Sequence, residues 1–195
     1  MRSRVGMVAL VGGLLLATPA WATTYVIDTD HTTVSFKVRH LFSKVEGTFR
    51  QFEGTLDYVS GHPEQWKTSA TIQAASIDTR VEKRDTHLRS KDFFEVDTYP
   101  TIAFRSTEIT DVQGTNAKLH GLLTIHGVEK PVVLDLEIHG EGKDPWGNVR
   151  SGFTATTKIN RKDFGLNWNQ ALETGGVLVG DEVEITLEVE GLVKG

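Results

Sequence analysis

From Thr32 to Val193 apolar and polar residues alternate with period two, the spacing at which successive side chains leave opposite faces of a strand. The last segment shows it best: Val183, Ile185, Leu187 and Val189 share one face, while Glu182, Glu184, Thr186, Glu188 and Glu190 share the other. Val34, Phe36 and Val38 oppose Ser35, Lys37 and Arg39 in the same way, and Val132, Leu134, Leu136 and Ile138 oppose Asp135, Glu137 and His139. A sheet of such segments has one dry face and one wet face, and the dry face must be covered. With their turn signals these segments predict eight strands, at 32–41, 45–58, 66–75, 101–111, 116–126, 130–142, 148–160 and 181–193. In the second, the apolar face slips from Val45 and Phe49 to Phe52 and Leu56, which predicts a bulge near Gln51. One interval is not strand-like. Asp78 or Thr79 is placed to cap a helix from Val81 to Leu88 that ends before Asp92-Phe93-Phe94.

Eight mainly antiparallel strands either close as a barrel or stack as a sandwich. The longer segments, of about 11 to 14 residues, span roughly 35 to 45 Å at the rise of a strand, a length natural to tilted barrel staves. The inward face mixes small with large residues, Ala70 and Ala74 beside Ile72, and Ser151, Ala155 and Thr157 beside Phe153. Such residues either leave room for one apolar ligand or make room for bulky neighbours, and the alternation is compatible with both.

The 195 residues carry 21 basic and 26 acidic side chains and no cysteine. One domain is expected at this length. The absence of cysteine excludes disulfides, thiolate metal sites and a cysteine nucleophile, and the net charge of −5 with no dense Lys/Arg run argues against nucleic acid as a partner. Residues 1–22 have the form of a secretory leader: Arg2 and Arg4, an apolar run from Val5 to Ala17, and Ala20-Trp21-Ala22 before a predicted cleavage after Ala22. Removing Arg2 and Arg4 leaves 19 basic against 26 acidic residues, a formal −7, in a single domain 23–195. The leader predicts a periplasmic protein.

Sharp catalytic or metal motifs are missing from the sequence. The seven histidines, at 31, 40, 62, 87, 120, 126 and 139, show no ligand spacing, and His120 and His126 would lie about 20 Å apart along a strand. No Gly-x-Ser-x-Gly elbow or phosphate loop is present. The basic cluster Arg80, Lys83, Arg84, His87, Arg89 and Lys91 is interleaved with Glu82, Asp85 and Asp92, so it serves either an anionic head group or local ion pairs. Phe36, Phe49, Phe52, Phe93, Phe94, Phe104, Phe153, Phe164 and Trp168 together would line a site for a long apolar tail. Two other classes fit the alternation less well: an eight-stranded outer-membrane barrel, whose apolar face would point outward, and a metal-dependent enzyme built on the histidines.

A series of short motifs runs through the chain in order. They are Asp30-His31 leading into Val34-x-Phe36-x-Val38-x-His40, Gly47-x-Phe49, Ser76-Ile77-Asp78-Thr79, Arg84-Asp85-x-His87-Leu88-Arg89-Ser90-x-Asp92-Phe93-Phe94, and Tyr99-Pro100-x-Ile102-x-Phe104-x-Ser106. Gly121-x-Leu123-Thr124-x-His126-Gly127-Val128-x-Lys130-Pro131-Val132, Arg161-x-Asp163-Phe164-Gly165 and Gly180-Asp181-x-Val183-x-Ile185 follow. In this order and spacing the chain resembles the YceI-like periplasmic proteins of bacteria. The resemblance implies an all-β, extended eight-stranded antiparallel lipocalin-like barrel with one short helix, holding a polyisoprenoid or similar long amphiphile. It implies a carrier or sequestering protein for an isoprenoid lipid of polyprenyl phosphate or quinone type, without catalytic residues, cofactor or metal. Strand parity then selects Phe36, Val38, Ile72, Phe104, Leu123, Phe153 and Ile185 as the tail lining, and Arg84 and His87 lie nearest a head group. A lipid carrier would make transient contact with a membrane, and any strand edge left by imperfect closure could be covered by a second copy in a homodimer.

Overall fold

The computed structural model describes residues 22–59, 61–173 and 175–194, so the predicted leader, residues 1–22, lies outside the described residues except for Ala22. Eleven strands and one α-helix follow in order: β1 (Thr23–Ile27), β2 (Thr33–His40), β3 (Ser43–Phe49), β4 (Phe52–Tyr58), β5 (Lys67–Gln73), β6 (Ile77–Asp78), α1 (Glu82–Arg89), β7 (Thr101–Gln113), β8 (Asn116–Ile125), β9 (Val128–Lys143), β10 (Val149–Asn160) and β11 (Val179–Val193). Every pairing is antiparallel. β4, β5, β7, β8, β9, β10 and β11 pair in succession, and β1 pairs with both β4 and β11 to close the ring. β2 lies beyond β1 on the same flank of β11 and pairs with β3, which pairs with β6. β1 with β2, β3 with β4, and β5 with β6 are therefore three broken staves, and with the five long strands they make an eight-staved barrel.

The predicted barrel is the observed fold, with corrections in its first third. β1 has no counterpart among the predicted strands, because five residues are too few to establish a period. The 45–58 segment is two strands rather than one bulged strand: the slip in parity marks an interruption at Arg50–Gln51. The neighbouring stave breaks at the same level, in a single 3-10 turn at Ala74–Ser76. The two breaks hold each other, since the Arg50 N–H donates to the Ser76 carbonyl at 3.1 Å and the Gln73 N–H to the Gln51 carbonyl at 2.9 Å. The helix is present, but its N-cap is Val81, with no side-chain cap. Instead Asp85, in the first turn, reaches back to accept from the Thr79 N–H at 2.9 Å and the Thr79 hydroxyl at 2.5 Å.

Inside the barrel, apolar side chains form two continuous layers. Toward the helix end, Val34, Phe49, Ile77, Ile102, Leu123, Ile125 and Phe164 are buried together, and Leu88 of α1 and Phe94 pack on them. Toward the other end, Trp66, Ile109, Leu119, Leu134, Leu136 and Phe153 form the second layer. Trp66 seals that end. It is 4% exposed, its indole N–H donates to the Val59 carbonyl at 2.8 Å, and its ring lies 4.6 Å from Tyr58 and 5.7 Å from Phe153. Tyr25 meets Tyr58 edge-on and donates its hydroxyl to Glu141; burial first, and then this carboxylate, raise the phenol's pKa.

Most outer positions are charged or polar, with Val26, Val112 and Val133 as scattered exceptions. Lys158 reaches Glu182 of the adjacent β11 at 2.9 Å, and Lys44 of β3 reaches over β2 to Glu184 of β11 at 2.8 Å. A barrel that crosses a bilayer needs an apolar band facing outward. This one has the reverse polarity, which removes the outer-membrane alternative.

At the break between β1 and β2 the Arg150 guanidinium gathers three carboxylates: Asp28 at 2.5 Å, Glu190 at 2.6 Å and Asp144 at 2.9 Å. It thereby ties the first stave to β11 and to the β9–β10 turn. Arg150 is the main reason that the Asp28 carboxyl is held down at about 2, with His31 and the Asp30 N–H adding to the effect. A carboxylate with a lowered pKa stabilises the fold above its ordinary range and ceases to do so as the pH falls through its folded value. The melting temperature should therefore fall between about pH 4 and pH 2. Arg150→Met should lower the melting temperature at pH 7 and flatten that acid dependence; a full acid dependence in the variant would show that the cluster does not cause it.

Candidate functional site

A cavity of about 640 Å³ runs along the barrel interior. Its floor is formed by Trp66 and Tyr25, both buried. The wall residues that are themselves exposed, Val81 and Lys83, belong to the start of α1, so the opening is at that end. The small inward residues have left room rather than only accommodating bulky neighbours. Ala70, Ala155 and Thr157 stand on the wall. Gly47 and Gly121 shape it further: a Cβ on Gly47 would come within 2.5 Å of the Phe36 ring, and one on Gly121 would overlap the Phe104 ring. Each phenyl thus extends its tip over the glycine of the neighbouring stave.

Phe36, Val38, Ile72, Phe104, Leu123, Phe153 and Ile185 all stand on this wall, and Arg84 and His87 line its mouth. Of the wider aromatic set only Phe164 is elsewhere, 2% exposed within the core. Between the floor and the mouth, the hydroxyls of Ser35, Thr68 and Thr157 are satisfied by backbone carbonyls. Ser35 donates to Thr186 at 3.0 Å, Thr68 to Thr55 at 2.9 Å, and Thr157 to Val133 at 2.8 Å. Their methyl and methylene groups are what remain for a ligand.

The mouth is polar. Arg84 donates from Nε to the Thr79 hydroxyl at 2.7 Å and from Nη2 to the Thr79 carbonyl at 2.8 Å, while Asp85 holds Thr79 from behind. Asp85 makes no ion pair with this cluster and serves the threonine instead, and among the described residues Arg84 has no carboxylate within 4.0 Å. His87 bonds Asp92 at 2.8 Å, and its ring is edge-on to Phe93 at 5.1 Å and to Trp168 at 4.8 Å. Arg89 pairs with Glu82 at 3.1 Å, so part of the basic cluster is neutralised locally.

Arg161, Trp66, Tyr25 and Leu178 are wall residues that the sequence reading did not select. Trp66 shares the parity of Ala70 and Ile72 and was within reach of the same argument, whereas Tyr25, Arg161 and Leu178 come from short or irregular segments where no period exists to assign them. Arg161 is 4% exposed and donates to the carbonyls of Gly180 at 2.9 Å, Leu166 at 2.5 Å and Trp168 at 2.9 Å. It pins the segment carrying Trp168 to the start of β11. Burial lowers the pKa of this guanidinium, and its Nη2 faces Asp181 at 3.6 Å.

The histidines are dispersed. His31, His62, His120 and His139 bond Asp28, Glu64, Thr110 and Thr154 respectively, and His126 packs at a tilt against Tyr99. Among the described residues, the grouping with metal-ligand spacing is Asp28, His31 and Glu190, and the Arg150 guanidinium already bonds both carboxylates.

Known proteins share this architecture. The chain is 40% identical to the UPF0312 protein of Photorhabdus laumondii over 185 residues, 93% of each chain. It superposes on Burkholderia cenocepacia BcnA with a TM-score of 0.75 at 24% identity, over 84% of this chain and 98% of that one. A polyisoprenoid binding domain from Saccharophagus degradans shares the fold at a TM-score of 0.64 and 14% identity, over 88% and 99% of the two chains. Residues 25–191 match the YceI-like domain, and with this relative and this barrel the chain belongs to the YceI-like family.

Proposed function

We propose that the protein is a periplasmic carrier that encloses the tail of a long-chain isoprenoid lipid, of the polyprenyl phosphate or quinone type, and carries out no catalytic step. The observation that supports this most is the cavity inside the barrel, apolar from floor to rim with cations at its mouth. At roughly 30 Å³ per water- or methylene-sized group, 640 Å³ accepts on the order of 20 carbons, and a longer tail would extend through the opening. At about 0.8 kcal/mol per buried methylene the gross gain is on the order of 15 kcal/mol, from which the lost freedom of the ligand is subtracted. Arg84, with Nη1 free of hydrogen bonds among the described residues, and His87 are placed to meet a polar head. The polyisoprenoid-binding neighbour of the same fold points to the same ligand class. Export rests on the leader-like residues 1–22; β1 begins at Thr23, so cleavage after Ala22 would spare every strand.

Mass spectrometry of the protein purified without detergent, under native conditions and after organic extraction, should find a stoichiometric isoprenoid lipid. Phe153→Asp, which charges the wall, and Ala155→Phe, which fills the lumen with an apolar group, should each lose it, while the surface change Glu188→Gln should keep it. Equal retention in all three would reject the assignment. Arg161→Met should cost about 2–4 kcal/mol of stability through its lost carbonyl bonds. It should also speed exchange of bound lipid by freeing the Trp168 segment; an unchanged exchange rate would show that this segment does not control the mouth.

A further inference from the structure

The open end of the barrel carries apolar side chains that cover nothing. Phe42, at the tip of the β2–β3 turn, is 102% exposed; Val81, just before α1, is 46% exposed, and Val177, just before β11, is 37% exposed. The tip is fixed in place, because the Leu41 N–H donates to the Leu178 carbonyl at 3.0 Å and His40 is in register with Val179. Its chemistry is unusual for a two-residue hairpin turn. Leu41 has φ 50°, a left-handed conformation that glycine or asparagine adopts at the lowest cost, yet the turn is Leu41-Phe42. A strained turn that presents a phenyl ring to water has no folding rationale, since neither residue builds the core.

Charge surrounds these groups asymmetrically. On the same rim Arg39, Arg80, Lys83 and Lys91 have no carboxylate within 4.0 Å among the described residues, and Lys83 stands on the cavity wall itself. Glu46, Glu82 and Asp92 on this rim are matched by Lys37 at 3.8 Å, Arg89 at 3.1 Å and His87 at 2.8 Å. Glu173, in the loop before Val177, and Asp97 and Asp163, farther round the same end, are exposed acidic groups without such a match among the described residues. Exposed aromatic and aliphatic tips within a ring of unmatched cations are complementary to the interface of an anionic bilayer, where apolar groups enter the headgroup layer and cations meet phosphate.

We propose that the open end is a membrane-docking face: Phe42, with Val81 and Val177, inserts into the headgroup region of an anionic phospholipid bilayer, and Lys83, Arg80 and Arg39 contact its phosphates. Docked in this way, the cavity opens directly onto lipid. The inference rests on the carrier reading for its purpose, but its test does not depend on which lipid the barrel holds.

The test is cosedimentation of the protein, purified without detergent, with vesicles of phosphatidylglycerol and phosphatidylethanolamine and with vesicles of phosphatidylcholine alone. Binding is expected to the anionic vesicles and to weaken in high salt. Phe42→Ser should reduce it about tenfold, the loss expected from one inserted aromatic side chain, with an unchanged melting temperature. Trp146→Ser removes an 82%-exposed indole at the opposite end and should bind as the unaltered protein does. No vesicle binding, full binding by Phe42→Ser, or loss of binding by Trp146→Ser instead would each overturn the proposal. So would a dimer in sedimentation that Phe42→Ser dissociates while vesicles are ignored, since the face would then belong to a second copy. Lipid retention measured on the same samples separates the two readings: unaltered protein that retains its lipid yet ignores the vesicles overturns docking and leaves the carrier standing.

Discussion

Hydrogen bonding of β1 along both of its edges is what turns this sheet into a container. Tyr25 is in register with Leu56 of β4 on one side and with Val193 of β11 on the other. Without those five residues, β4 and the C-terminal part of β11 would be open edges, free to pair with other chains. Closure is also where the longest sequence separations meet, so it depends on side chains that hold the join. Tyr25 does this from inside, covering Gly191 and bonding Glu141, and Arg150 does it beside the break by drawing Asp28 and Glu190 together.

A closed eight-staved barrel has an interior that side chains can fill. Here it is not filled, and the reason is local. Gly47 and Gly121 let the rings of Phe36 and Phe104 lie against the neighbouring backbone, and Ala70, Ala155 and Thr157 take little of the lumen. Breaks in three adjacent staves act in the same direction: they bend one side of the barrel and give α1 a place to pack beside β6 instead of inside the lumen. The cavity is thus a consequence of small residues at inward positions and of irregularities that occur together.

Most of the wall could be read from the sequence because the parity of a strand is a property of its own backbone. Once Val34 is inward, Phe36 and Val38 must be, and no distant contact can alter that short of a bulge. The slip between Phe49 and Phe52 was visible for the same reason, although it marked an interruption and not a bulge. What could not be read depends on contacts far along the chain. β1 is defined by partners at Leu56 and Val193, and the Thr79–Asp85 bond, which replaces an ordinary helix cap, depends on how the chain turns at Arg80, where φ is 66°. Arg161 shows the limit most clearly. A lone arginine in a polar stretch suggests a solvated surface, and only the fold shows it buried beneath the carbonyls of Leu166, Trp168 and Gly180.

The two ends of the barrel differ in a way that bears on how a ligand would move. At the floor, Trp66 is held by a hydrogen bond and by rings on two sides, so opening there would break packing and expose a buried indole. At the mouth the boundary is one short helix, an aromatic contact between His87 and Trp168, and an irregular segment held to β11 by Arg161 and Asn169. Local opening takes the least stable route, which makes the mouth the port for both entry and exit. The wall between them offers no directional contact, because its hydroxyls are already bonded to backbone. A tail would therefore be selected there by bulk and length alone, and it could slide along the lumen without breaking a hydrogen bond. Discrimination by chemistry has to occur at the rim, where Arg84, His87 and Lys83 are the groups a polar head would meet.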